Sequence, residues 1–153
     1  MATFKFPLEP VLGVRKRSEN QQQIVFATAM ARLQAEQRTC DDLFRRRLDM
    51  HGRLRASHGE MDVEELRMTY AHCDFLERAI KAQQAVIERF RLAAEVERAK
   101  LVEFTKQKKI LETLKSQRYD AFVAEAAAAE QRESDDINAR RYDRATANRE
   151  TPV

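Results

Sequence analysis

Glycine and proline are scarce in this chain, three of each in 153 residues, and their placement says more than their number. Neither occurs from Glu60 to Thr151, and a second clear stretch runs from Val14 to Met50, just short of Gly52. These are the residues that most strongly interrupt a helix, so their absence removes any cause for chain reversal within either stretch. Only the segment from Gly52 to Gly59 offers a turn. Tryptophan is absent and aromatics make up 7%, which argues against a sandwich or an α/β domain with a thick core. The two cysteines, Cys40 and Cys73, have neither the number nor the spacing of a disulfide framework or a zinc site. No apolar run approaches the ~18 residues that a membrane-spanning helix needs. The N-terminus lacks the basic-then-apolar order of a signal peptide. The expectation is a cytosolic chain with reduced thiols and no direct transmembrane insertion.

What is present is charge and helix-forming residues. Asp, Glu, Lys and Arg make up 35% of the chain, together with abundant Ala, Leu and Gln. A lone helix of such length has too narrow an apolar face for a globular core and needs a similar helix beside it. The fold class expected is all-α, a long antiparallel two-helix coiled-coil hairpin. Residues 1–140 form the hairpin, with a first helix over about 7–56, a turn at about 57–60 and a second helix over about 61–140. Residues 141–153 are expected to be a frayed or disordered tail.

The first helix opens through Phe4-Lys5-Phe6-Pro7-Leu8 and Val11-Leu12. Pro7 suits the first helical position, and Pro10 lies within the first turn, where N–H groups lack intrahelical partners. A seam follows at Phe26, Met30, Leu33, Cys40, Leu43/Phe44, Leu48 and Leu54. From Arg15 to Gln23 nothing apolar occurs, which leaves either a loose seam or a surface for another protein. In the second helix Asp62 is placed as N-cap with Glu65 three residues later. A heptad then runs Leu66, Cys73, Ile80, Ile87, Ala94, Leu101, Lys108, with a partner row Leu76, Gln83, Phe90, Glu97, Phe104, Leu111. A sustained seven-residue repeat implies a left-handed supercoil. A turn centred near Gly59 brings residue 8 opposite about residue 110 and leaves everything beyond about Arg118 uncovered.

The chain has no phosphate-binding glycine loop, no nucleophile elbow and no zinc-type His-Glu-x-x-His helix. His51, His58 and His72 do not assemble four metal ligands with the cysteines. A thin helical pair offers no concave pocket. The reading is therefore not an enzyme, with no cofactor, no metal and no catalytic residues.

Two surface features carry more information. Met68, His72, Phe75, Ala79, Ala82 and Val86 advance by steps of three and four along the second helix, as a second apolar stripe beside the main seam. It is either a broad seam covered by long side chains of the first helix or a docking face for another protein. Charge is uneven as well: from Arg98 to Arg118 there are seven Lys/Arg against two Glu. Lys106, Lys108 and Lys109 are expected to face Arg15, Lys16 and Arg17 across the hairpin. That positive end is a solvated face, a contact for an acidic protein surface, or a nucleic-acid contact. The last lacks interleaved aromatics, and no nucleic-acid partner is assigned.

The opening Phe4-x-Phe6-Pro7-Leu8-x-x-Val11-Leu12-x-x-Arg15 and the segment Leu76-Glu77-Arg78-Ala79-Ile80, in a basic two-helix coiled coil of this size, resemble the flagellar FliJ family over about residues 4–140. Pro10 and Gly13 depart from the smoother helical start of that family. The resemblance implies a non-enzymatic stalk and adaptor of the flagellar type III protein export apparatus, hence of motility. It implies binding to the export ATPase hexamer through the basic end and to the cytoplasmic domain of the export-gate protein through the stripe, and assistance to chaperone–cargo delivery. It also implies a cytoplasmic protein peripherally associated with the cytoplasmic face of the inner membrane. The equivalent stalk of an injectisome secretion system and a generic coiled-coil scaffold are the alternatives.

Overall fold

The computed structural model describes residues 3–57 and 59–147, with side chains described as far as Tyr142. Two helices account for nearly all of it: α1, Glu9–Ala56, and α2, Val63–Ala147. They pack against each other as an all-α helical hairpin. The chain clusters into two compact units. The hairpin unit is Lys16–Lys106, and the terminal unit joins the chain up to Arg15 with the chain from Gln107 onward.

The helix ends follow local chemistry. Phe6 C=O accepts from Glu9 N–H at 3.1 Å, and Leu8 C=O takes the first intrahelical bond, from Leu12 N–H at 2.9 Å. Pro7 therefore occupies a turn ahead of α1 instead of its first helical position, in the second place of a four-residue turn, which its fixed φ suits. Pro10 falls in the first turn of α1, where its missing N–H leaves no bond unmade. At the far end, Ser57 N–H reaches Arg53 C=O at 3.1 Å and the Ser57 hydroxyl donates to Leu54 C=O at 3.0 Å. These bonds satisfy carbonyls that the helix leaves orphaned. Arg53 and Arg55 in the last turn suit the negative end of the dipole. Gly59 has φ 86°, a left-handed backbone that a side chain disfavours. Glu60 N–H to Ser57 C=O, at 2.7 Å, closes the turn there. His58, assigned to this turn by the sequence, lies outside the described residues. Asp62 precedes α2: its C=O accepts from Leu66 N–H at 2.9 Å, and its carboxylate accepts from Val63 N–H at 2.7 Å. Glu64 and Glu65 add negative charge at the positive end of the dipole. α2 continues through residue 147, and the rest of the expected tail, 148–153, lies outside the described residues.

Within the hairpin unit the pairing is antiparallel, because partners on α2 fall in number as those on α1 rise. Gln22 meets Glu97, Glu36 meets Gln83, and Arg47 meets Glu77. The buried apolar side chains are Leu33 and Cys40 on α1 and Cys73, Leu76, Ile80 and Ala94 on α2. The α2 heptad from Cys73 onward thus supplies the core row, whereas Leu66, expected to open it, is exposed. On α1 the seam differs from the sequence expectation at three places. Met30 and Leu48 are exposed, and the seam passes instead through Ala29, Arg47 and Met50, all half-buried; of the pair Leu43/Phe44 it takes half-buried Leu43 and leaves Phe44 exposed. The stretch without apolar residues is also seam: Glu19 and Gln22 are buried. Thr105 donates its hydroxyl to the Glu19 carboxylate at 2.8 Å.

Gln22 and Gln83 form a matched pair of polar clasps. Gln22 Nε2 donates to Glu97 C=O at 3.1 Å and to its carboxylate at 2.6 Å. Gln83 Nε2 donates to Glu36 C=O at 3.1 Å and to its carboxylate at 2.6 Å. On each helix the two clasp positions are two heptads apart, and Phe26, Leu33, Ile87, Phe90 and Ala94 lie between them. A one-heptad slip of either helix would part both clasps and move one polar residue of each helix against this apolar stretch, so the clasps fix register at some expense in stability.

The terminal unit is held by the opening motif. Phe6 and Leu12 are buried. Phe4 packs edge-on to Tyr119 at 5.4 Å between ring centroids and tilted against Phe122 at 5.7 Å. Arg118 lies over the Phe6 ring at 6.0 Å, and Lys115 pairs with Glu9 at 2.7 Å. Two sequence expectations change here. Residue 9 meets residue 115, so the pairing runs further along α2 than a symmetric turn at Gly59 implies. Cover by the chain's own residues reaches Phe122 and does not stop at Arg118, because the extended segment ahead of α1 still reaches α2. From Val123 to Tyr142 every side chain is exposed.

Candidate functional site

The α2 stripe lies wholly in the hairpin unit. Leu76 belongs to the seam and is 1% exposed, whereas its neighbour Phe75 is 57% exposed. One residue step rotates a side chain about a quarter-turn and more around the helix, enough to carry Phe75 from core to surface. Met68 is 66% exposed, and His72 and Ala82 are exposed as well. Ala79 and Val86, nearer the seam edge, are half-buried. His72 and Phe75 stack, with rings 6.1 Å apart and 18° from parallel. This i, i+3 pair gives the stripe a flat aromatic patch flanked by Met68. An aromatic face with a flexible thioether beside it is chemistry suited to contact with another apolar surface.

A second apolar set near the turn end of the same unit went unrecognised in the sequence. Phe44, Leu48 and Tyr70 are exposed large side chains, and Leu48, His51 and Tyr70 line one shallow hollow. Arg47 stacks over Phe44 at 5.3 Å and pairs with Glu77 at 3.8 Å. The signal is present in the sequence: Phe44 and Leu48 are four apart, a helical neighbour spacing, but both also fit the spacing of the α1 seam and are placed there when the sequence is read alone.

The cationic residues fall in both units. Lys16, Arg17 and Lys106 belong to the hairpin unit, and Arg15, Lys108 and Lys109 to the terminal unit. Arg17, Lys106 and Lys109 are exposed; Arg15 and Lys108 are half-buried. Lys108 continues the α2 seam row in sequence, which accounts for its partial burial. In the terminal unit Lys115 is engaged by Glu9 and Arg118 by Phe6. Those two cations of the basic segment thus have structural partners.

Titration at the hairpin unit is governed by local pairs. The Lys100 ammonium, then the Gln22 amide, hold the Glu97 carboxyl below the ordinary glutamate range. The Arg91 guanidinium does the same for Glu88. Burial, then the charge of Asp41, pushes the Cys40 thiol up, which makes it a poor nucleophile. Among the described residues no three His, Cys, Asp or Glu side chains are grouped as a metal site would need. Among them too, no helix is long and apolar enough to cross a membrane.

A family model described as "Flagellar FliJ protein" matches residues 4–147. No curated protein and no solved structure matches the chain.

Proposed function

The chain belongs to the flagellar FliJ family, and on that premise we propose that it is the stalk and adaptor that links the export ATPase to the export gate. Membership makes it a flagellar export-related coiled-coil protein of a non-enzymatic family. The finer reading assigns two contacts. Arg15, Lys16, Arg17, Lys106, Lys108 and Lys109 supply positive charge toward an acidic lumen of the ATPase hexamer. Met68, His72, Phe75, Ala79, Ala82 and Val86 dock the cytoplasmic domain of the export-gate protein. Between them the chain assists delivery of chaperone–cargo complexes at the cytoplasmic face of the inner membrane.

The observation that carries this reading is the stacked, exposed Phe75–His72 pair with Met68 beside it, on a helix whose seam is already filled by Leu76 and Ile80. An aromatic in this setting contributes little to the chain's own packing and is free to anchor a partner. The cationic contact is tested by replacing Lys106, Lys108 and Lys109 with Glu. Charges at an interface rim act mainly on encounter rate and salt dependence. The expected result is slower association with the ATPase and weaker stimulation of hydrolysis at low salt, converging on wild type as screening shortens toward ~3 Å at about 1 M salt. Unchanged stimulation at low and moderate salt refutes the assignment.

A further inference from the structure

A groove between the two helices of the hairpin unit is left open beside the Gln22–Glu97 clasp. Its lining is mostly small or apolar, with Ile24, Val25, half-buried Ala29, exposed Ala93 and Val96, and its charged members are Arg32 and Glu97. Ile24 is 62% exposed and Val96 54%. It lies on the face of α2 that bears the stripe, since stepping on from Val86 by three, four and three gives Arg89, Ala93 and Val96. The other face of α2 is different. There Arg91 pairs with Glu88 at 2.7 Å and Arg98 with Glu95 at 3.0 Å, so its charges are neutralised within the helix. On the groove side α2 presents Ala93 and Val96 and α1 presents Thr28, with Arg32 and Arg89, and the groove's one carboxylate, Glu97, is already paired with Lys100 at 2.8 Å. The clasps set residue 22 opposite 97 and residue 36 opposite 83, which puts Arg32, in the lining, and Arg89, on α2 just outside it, at nearly the same level on the two helices. Among the described residues neither has an ion-pair partner.

We propose that this groove seats one amphipathic α-helix of a partner protein, bearing carboxylates on both flanks of its apolar stripe. Three features select that occupant. The small side chains of Ala29 and Ala93 in the lining let a third helix approach to the ~8–10 Å axial distance of packed helices. The apolar walls run along the helix axes, as a helix-in-groove contact requires. The two arginines stand on either side, so a helix lying between them meets a cation on each flank, and carboxylates there complete pairs that the chain itself does not supply. The site is separate from Phe75 and does not depend on which partner takes the stripe.

The test uses the full chain and two synthetic helix-stapled peptides, roughly three heptads long, with the same leucine and alanine stripe flanked by Glu in one and by Lys in the other. Binding is read by fluorescence anisotropy. The Glu-flanked peptide should bind at least about tenfold more tightly than the Lys-flanked one, a difference of ~1.4 kcal/mol. Arg32→Glu combined with Arg89→Glu should reverse that preference. Ala93→Arg should abolish binding of both peptides while leaving the circular dichroism melt near wild type, and Phe75→Ala should leave peptide binding unchanged. Equal affinity for the two peptides, no binding of the Glu-flanked peptide, or binding that survives Ala93→Arg overturns the proposal. So does loss of binding on Phe75→Ala, which would move the peptide to the stripe. Sedimentation supplies the last outcome: a dimer of the chain that Ala93→Arg dissolves would give the groove to a second copy and likewise overturn the assignment to a partner.

Discussion

Phe75→Ala and Leu76→Ala change adjacent residues of α2 and should have opposite consequences. Leu76 is 1% exposed and Phe75 57%. Full burial of a phenylalanine is worth ~1.5–3 kcal/mol; with less than half of Phe75 covered, truncation removes about 1 kcal/mol at most. Alanine's better helix propensity returns about 0.5 kcal/mol, so the net change for Phe75→Ala is within about 0.5–1 kcal/mol. Leu76→Ala empties a filled seam position and should cost about 2–5 kcal/mol. At ~2–4 °C per kcal/mol for a chain of this size, Leu76→Ala melts well below wild type, whereas Phe75→Ala stays within a few degrees. Binding should rank the other way. If Phe75 anchors the export-gate domain, its truncation costs ~1–3 kcal/mol of affinity. Thermal melts followed by circular dichroism and titration calorimetry against the isolated export-gate cytoplasmic domain measure both quantities on the same samples. The reasoning fails if Phe75→Ala lowers the melt as far as Leu76→Ala while binding is unchanged; Phe75 would then be core.

The other predictions concern the frame that carries these surfaces. Gly13 and Gly52 lie within α1 with open space where a Cβ would stand, so Gly13→Ala and Gly52→Ala should each stabilise by up to ~1 kcal/mol in urea denaturation. Gly59→Ala should instead destabilise by ~1–2 kcal/mol, because a left-handed backbone opposes a side chain. The folded-state pKa of Glu97 is depressed by Lys100 and Gln22; its contribution is present above the ordinary glutamate range and is lost as pH falls through the folded value. Melting temperatures across an acid titration should therefore fall less steeply for Glu97→Gln than for wild type. Cys40 and Cys73 are each 5% exposed, so a thiol reagent should label both slowly in the native chain and rapidly in denaturant; fast native labelling of either would contradict the seam described.

Some of this molecule was decided by sequence alone. The absence of glycine and proline from Val14 to Met50 and from Glu60 to Thr151 leaves a helix as the only regular outcome over both stretches, and Gly52 and Gly59 between them mark the one place to reverse. The seven-residue row from Cys73 through Ala94 identified the seam of α2, because a helix presents every seventh residue to the same side whatever it packs against. The stripe at Met68 to Val86 was legible for the same reason. Other features required a partner in place. Whether Met30, Phe44 and Leu48 or Ala29, Leu43 and Met50 face the seam depends on the rotation of α1 against α2, and apolar residues on neighbouring faces allow both choices. Gln22, Glu36, Gln83 and Glu97 read as defects in an apolar pattern; only tertiary register shows that each glutamine finds a glutamate on the other helix. Phe4 likewise gains its role only when Tyr119 and Phe122, more than a hundred residues away, are brought beside it. Periodicity states which side of a helix is apolar, while packing decides what covers that side and what it leaves exposed for others.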